Sequence, residues 1–205
     1  MKLTRRLLPL FLLGLAPVVG CGPEEALSPG EGALVPAVQS EGPEAAAVHE
    51  AAAYCDDVTT WDAGWASLES QVLTLVNQKR AAGASCPGGV VNKPAAALTL
   101  DTRLRCAARK QSKDLGVHNQ FSHTGSDGST PWQRMGWAGY TTYSSAAENI
   151  AAGQTTAQSV VDTWMNSSGH CVNIMNASLK QIGIGYYKAP GSTYTHYWTQ
   201  DFGSP

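Results

Sequence analysis

The stretch QIGIGYY, residues 181–187, sets the tightest limit on what this chain can fold into. In an extended strand Ile182, Ile184 and Tyr186 fall on one face, and Gly183 and Gly185 fall on the other. The first face offers apolar side chains to a core. The second is bare, which lets a helix lie very close to the sheet. A second stretch, YTHYWTQDFG, alternates Tyr194, His196, Trp198, Gln200 and Phe202 against smaller partners, and Pro190-Gly191 between the two reads as a turn. Together they predict an antiparallel hairpin.

Helical patterns surround this pair. Leu68, Val72, Leu75 and Val76 recur at helical spacing across residues 66–82, and Gly83 ends the pattern. Asp101 is a good N-cap for a second helix, with Leu104, Ala107, Ala108 and Leu115 on its apolar side and Gly116 as its stop. Thr130-Pro131 opens a short third helix in which Trp132, Met135 and Trp137 are expected to pack. Residues 156–166 form a fourth, with Val160, Val161 and Trp164 at core spacing, while SAAENIAA, residues 145–152, reads as a short strand or an extended loop. Helices before and between strands predict an α+β domain, a small mainly antiparallel sheet covered by helices.

Not all of the 205 residues belong to that domain. Lys2, Arg5 and Arg6 precede an apolar run from Leu7 to Val19 that is short and broken by Pro9 and Pro17, which reads as a secretory signal over residues 1–20 rather than a spanning helix. It ends in Val18-Val19-Gly20-Cys21, the pattern of a lipobox, so lipid attachment at Cys21 and a membrane anchor are expected. Residues 22–60 hold eight acids and no Lys or Arg, amid Ala, Pro and Gly, and most of the segment is expected to be a disordered tether. The domain then runs over 61–205, where 11 Lys and Arg stand against 8 Asp and Glu, too mild an excess for nucleic-acid binding.

Export implies an oxidising compartment. With Cys21 lipidated, Cys55, Cys86, Cys106 and Cys171 make an even set. The expected pairing is Cys55–Cys86 with Cys106–Cys171, adding up to about 3.7 and 4.3 kcal/mol by loop-closure entropy. The other pairings stay open in the sequence. A zinc site built from these thiols is disfavoured, because no CxxC spacing occurs.

Three stretches carry candidate chemistry: FSH with His123, AENI with Glu148, and WMNSSGHCVNIM with His170. Glu148 lies in a small, apolar run, and a carboxylate buried there must protonate or find a cation. His123 and His170 are the candidate partners. A carboxylate fixes an imidazole tautomer, and two such histidines around a cleft can hold a divalent ion with positions left for water. Each histidine taken alone is more often structural. His49 in the tether and His118 at a helix end read as solvated, and His196 as a hydrogen-bonded packing residue. Trp164 and Trp198 read as core. Ser122 and Ser168 stand beside the histidines, but no nucleophile elbow accompanies them.

Taken in order, LTLVNQKR, FSHTGSDGSTPWQRM, AENIAAG, VVDTWMNSSGHCVNIM and YWTQDFG resemble the CAP superfamily of cysteine-rich secretory, antigen 5 and pathogenesis-related proteins, and most of all its short bacterial branch. The resemblance covers about residues 66–203. It implies an α-β-α sandwich with a central cleft lined by two His and two Glu. His123, Glu148 and His170 match three of the four. The second Glu is absent, the nearest positions being Asn166 and Ser167. With one carboxylate fewer, the resemblance implies at most weak binding of a metal such as zinc between His123 and His170. The expected Cys106–Cys171 bridge, where the family has small or basic residues, would brace the second helix next to His170.

The family's activities are diverse, so the resemblance implies fold more firmly than function. The favoured expectation is a lipid-anchored, extracytoplasmic binding module that presents its cleft to a lipid, glycan or protein partner. The alternative is a metal-dependent hydrolase of peptides or cell-wall polymers, with a metal-bound water and Glu148 as the candidate base. A third reading makes His123, Glu148 and His170 a purely structural polar network.

Overall fold

A computed structural model describes residues 43–205; the expected signal segment and Cys21 lie outside the described residues. The helices are α1 (Pro43–Thr59), α2 (Ala63–Ala82), α3 (Thr102–Val117), α4 (Pro131–Trp137), α5 (Ala157–Met165) and α6 (Ser168–Met175). The strands are β1 (Ala84–Cys86), β2 (Val90–Asn92), β3 (Thr99–Leu100), β4 (Ser145–Ala152), β5 (Gln181–Lys188) and β6 (His196–Ser204). A four-stranded sheet runs in the order β3-β5-β6-β4, and β1 and β2 form a separate two-stranded hairpin. β5 and β6 pair antiparallel, as do β4 and β6, while β3 joins parallel to β5. The stretch left open between strand and loop is therefore strand β4.

The two faces of β5 decide the layers. Ile182, Ile184 and Tyr186 join Trp198 and Phe202 of β6 under α2, α5 and α6, where Val72, Val76, Val160, Val161, Trp164 and Ile174 complete the larger core. On the other face α3 lies on bare backbone: a Cβ on Gly183 would land on the Leu104–Arg105 peptide, and one on Gly185 on the Ala108 carbonyl. Those two glycines are what the close crossing requires. Asp101 caps α3 as expected, its side chain accepting from the N–H groups of Arg103 and Leu104. The helix does not stop at Gly116 but runs on to Val117, because Gly116 serves packing: the Tyr187 ring and Ala189 leave no room for a Cβ there.

Three further expectations are corrected. Within the stretch expected to be a tether, residues 43–59 form α1, which packs on α3 through a second core of Val58, Leu104, Cys106, Ala107, Met135 and Tyr140. In α4 only Met135 is buried among the three expected residues. A seven-residue helix has one inward face, and Trp132 and Trp137 stay 46% and 44% exposed. The disulfides are Cys55–Cys106 and Cys86–Cys171, not the expected pairs. The cause is layering: Cys55 on α1 and Cys106 on α3 lie on one side of the sheet, Cys86 on β1 and Cys171 on α6 on the other.

Two buried cations lock the helices. Arg109 of α3 meets Glu69 of α2 at 2.6 Å, and Glu69 also accepts the Tyr186 backbone N–H, capping the edge of β5 where β3 no longer pairs. Arg80 is fully buried and donates to the carbonyls of Ala96, Ile174, Asn176 and Leu179, so it clamps the C-terminus of α6. No helix among the described residues is long and apolar enough to cross a membrane.

Candidate functional site

Glu148 sits on β4 with its side chain on the α3 side of the sheet. The small residues of SAAENIAA leave it space there, and its side chain is only 2% exposed. Its two oxygens have separate partners. Oε1 lies 2.7 Å from Nδ1 of His123, and Oε2 accepts from the Arg134 guanidinium at 2.8 Å. Arg134 comes from α4, whose start is fixed by a capping box between Thr130 and Gln133. The same guanidinium donates to the His123 carbonyl at 2.9 Å and to the Ser129 carbonyl at 2.8 Å. One buried cation thus ties the His123 loop, the entry to α4 and the β4 carboxylate together.

The carboxylate as acceptor places the His123 proton on Nδ1 and leaves Nε2 free to accept a proton or a ligand. The imidazole is 52% exposed, so Nε2 is open to solvent. The loop carrying it is pinned by Gln111 of α3, which donates to the Ser122 carbonyl at 2.7 Å. Ser122 itself accepts from the Thr124 N–H, a loop bond that gives it a structural use. A cleft of about 440 Å³ opens over the site, walled by His123, Pro131 and Trp132 on one side, Asn173 of α6 on the other, and Ala146, Ala147 and Glu148 along its floor.

Beneath Glu148 lies Asp201 of β6, directly opposite in the antiparallel register. Pairs at that position of the ladder bring side chains closest. Asp201 is fully buried, and its oxygens meet no N–H or O–H donor among the described residues. Burial first, then the charge of Glu148, pushes its carboxyl well above the usual range, against a smaller pull from Arg134. It stands opposite Glu148 in the ladder, and there the uncharged form of Asp201 is favoured.

His170 comes from the other helical layer, on α6, whose N-cap Ser167 makes no side-chain capping bond that would mark the helix in the sequence. Its carbonyl accepts from Asn149, and Asn173, one turn later, donates to Asn149 in turn. The ring is half-buried and its Nδ1 is buried without a partner. Burial lowers its pKa, and proximity to His123 adds to that, which keeps it a neutral imidazole at neutral pH. The fold therefore bonds His123 to Glu148, and it places His170 on α6 with its carbonyl on Asn149 of β4, outside the residues that wall the cleft. Glu148 has both oxygens engaged, and no three His, Cys, Asp or Glu side chains form a metal-holding set among the described residues.

Cys171 is bridged to Cys86 of β1, so the brace beside His170 comes from the hairpin rather than from α3. Asn166 and Ser167, nearest to the missing second Glu, cap the end of α5 and the start of α6. His118 pairs with Asp114 at 2.8 Å instead of being merely solvated, His49 lies on the exposed side of α1, and His196 is the expected packing residue, bonded to the Tyr186 hydroxyl at 2.6 Å. Arg134 and Asp201, central to the cluster, carry no sequence mark that assigns them there. The available signal for Asp201 is a carboxylate in the middle of a strand whose neighbours are all core residues. For Arg134 it is a lone cation near His123.

A mixed sheet between two helical layers, with a His–carboxylate–Arg cluster opening at the free edge, defines an α-β-α sandwich with a polar edge cleft. The chain belongs to the cysteine-rich secretory protein (CAP) family, whose model matches residues 73–202. It is similar to YkwD of Bacillus subtilis strain 168, 36% identical over 136 residues, which is 66% of this chain and 47% of YkwD. It is also similar to the membrane protein YlbC of the same organism, 27% identical over 142 residues, 69% of this chain and 36% of YlbC. The chain thus spans less than half the length of these relatives. Among solved structures, an extracellular protein of Bacillus anthracis containing an SCP domain superposes with a TM-score of 0.55 at 26% identity, over 68% of this chain and 41% of that one. An outer surface protein of Borrelia burgdorferi has the same fold, with a TM-score of 0.52 at 22% identity over 68% of this chain and 90% of that one.

Proposed function

We propose that this protein is a ligand-binding module held outside the cytoplasm, with the His123 cleft as its binding site. One observation carries the reading: a half-exposed imidazole fixed by a buried carboxylate, itself neutralised by Arg134, at the floor of an open cleft. Such an arrangement preorganises Nε2 of His123 as an acceptor or ligand atom at little cost on binding. Two disulfides fit an oxidising compartment, and the extracellular SCP-domain relative supports the same location. The lipid anchor at Cys21 belongs to this proposal. Cys21→Ala is expected to move the protein from the membrane fraction to the soluble one and to end incorporation of labelled fatty acid.

The donor set suits a divalent ion only modestly. His123 Nε2 and the His170 ring would supply two nitrogen ligands, with Glu148 as the partner that orients His123. Zinc there would supply Lewis acidity to a bound ligand. Calorimetry with zinc alone tests it: wild type is expected to bind weakly, and the double change His123→Ala, His170→Ala to abolish binding while keeping the fold. Collapse of the fold in that variant would make the cluster structural. A second reading, hydrolysis of peptide or cell-wall bonds, draws on the same fixed imidazole, which resembles an oriented general base. Zinc-restored turnover of peptidoglycan or peptide substrates after chelation would favour it, and no turnover with zinc present would set it aside.

A further inference from the structure

We infer that the outer edge of β4 takes up an extended peptide as an added strand over Ala146–Glu148, beside His123. The inference deepens the binding reading, on which it rests, by naming the class of ligand. Among the described residues β4 ends the sheet and pairs with β6 alone. The alternation of an antiparallel ladder decides which of its backbone groups are already used. Gly153 N–H donates to the His196 carbonyl at 2.8 Å, so the odd-numbered residues of β4 bond to β6. Ala146, Glu148, Ile150 and Ala152 therefore turn their N–H and C=O groups outward. Trp164 fixes the same phase independently: its indole N–H donates to the Ile150 carbonyl at 3.2 Å, and α5 closes that half of the edge.

At Ala146 and Glu148 the outward N–H and C=O groups find no partner among the described residues. Two donors and two acceptors, repeating every second residue, are what one extended chain pairs with. The cleft follows this stretch, with His123 and Trp132 on one flank and Asn173 on the other. Successive side chains of an added strand would point alternately to those flanks, so the backbone supplies affinity and the flanks supply selectivity. Trp132, exposed at the lip, offers an apolar face that its own helix does not bury.

Exposed edges are usually blunted by Lys, Pro or a bulge. SAAENIAA has no Lys or Pro, and its register with β6 is continuous. Its one charge, Glu148, is turned into the cluster toward Arg134. A second copy of this chain is a poorer fit than a peptide. A second copy would have to bring its own His123 loop, α4 and α6 to the same edge, whereas a free extended peptide brings no flanking elements.

The test titrates a blocked heptapeptide, KTVTVTK, into the isotope-labelled protein and follows backbone amides by NMR. Its alternating Thr and Val favour an extended chain and the lysines keep it soluble. Expected are shifts and at least about tenfold slower exchange at the Ala146 and Glu148 amides, with Ser145 and Ala147 unchanged. N-methylation of every internal peptide amide should weaken binding about tenfold or more, without touching the protein. Ala146→Pro, which removes an outward N–H and spares the β6 ladder, should do the same. No response at those amides with peptide at about 1 mM overturns the inference. If the His123 ring and Trp132 indole respond while the edge amides do not, strand addition falls and the binding cleft stands. Protection that appears with protein concentration alone would assign the edge to a second copy and overturn the peptide.

Discussion

Asp201 holds a proton that the unfolded chain gives up. Its carboxyl is raised by burial and by Glu148, whereas an unfolded Asp titrates near about 3.9. Between that value and its folded pKa the native state binds more protons than the unfolded one, so this contribution to stability falls as pH rises and is flat above the folded pKa. Asp201→Asn removes the titration and keeps the shape. The stability of the variant relative to wild type should therefore climb as pH rises above about 4, read from melting temperatures across pH 3.5 to 8. A difference that stays constant with pH would show that Asp201 carries no native proton. Arg134 acts in the opposite sense. Replacing it by Met leaves Glu148 buried without its cation, an expected loss of about 3–5 kcal/mol in chemical denaturation at pH 7. The site was half legible at this scale. His123 and Glu148 stood out because a polar group among glycines and alanines needs a reason. Arg134 and Asp201 did not, because what marks them is the register of β4 against β6 and the position of α4, and neither has a local signature.

At the scale of elements, the strand QIGIGYY and the helix that follows Asp101 could be read directly, since glycine alternation and a cap residue are local facts with one structural outcome each. The crossing they make gives a sharp contrast between two glycines. Gly185→Ala drives a methyl group into the Ala108 carbonyl, with backbone on both sides and nothing flexible to yield. A loss of about 3 kcal/mol or more is expected in equilibrium unfolding. Gly136 lies inside α4 with open space where its Cβ would be, so Gly136→Ala should gain about 0.5–1 kcal/mol. Equal effects at the two sites would contradict the close packing of α3 on β5. The elements that escaped the sequence are the short ones. β1, β2 and β3 have two or three residues each, too few to express a period, and α6, unlike α4 and α5, has no capping box to mark its start. They are held from outside, α6 by the Arg80 clamp and the Cys86–Cys171 bridge, so their existence depends on tertiary contacts rather than on their own pattern.

At the scale of the whole molecule, the surprise lies in α1 and the crossed disulfides. An acidic, alanine-rich stretch reads as tether by composition, and its helix makes sense only against α3, where Val58 is buried and Asp57 meets Lys110 and Lys113. The bridges close loops with sequence separations of 51 and 85 that interlock along the chain, so each ties one helical layer within itself. Loop entropy gives the Cys55–Cys106 bridge alone about 4.1 kcal/mol. The contacts of α1 add to that, and the two parts can be separated. The double change Cys55→Ser, Cys106→Ser removes the bridge and keeps the helix, while a fragment starting at residue 61 with Cys106→Ser removes both. If α1 is part of the folded core, the fragment melts well below the double variant, since it also loses Val58 packing and the bond from Arg109 to the Val58 carbonyl. Equal melting temperatures would return residues 43–60 to the role of a tether, joined to the domain by its cystine and by nothing else.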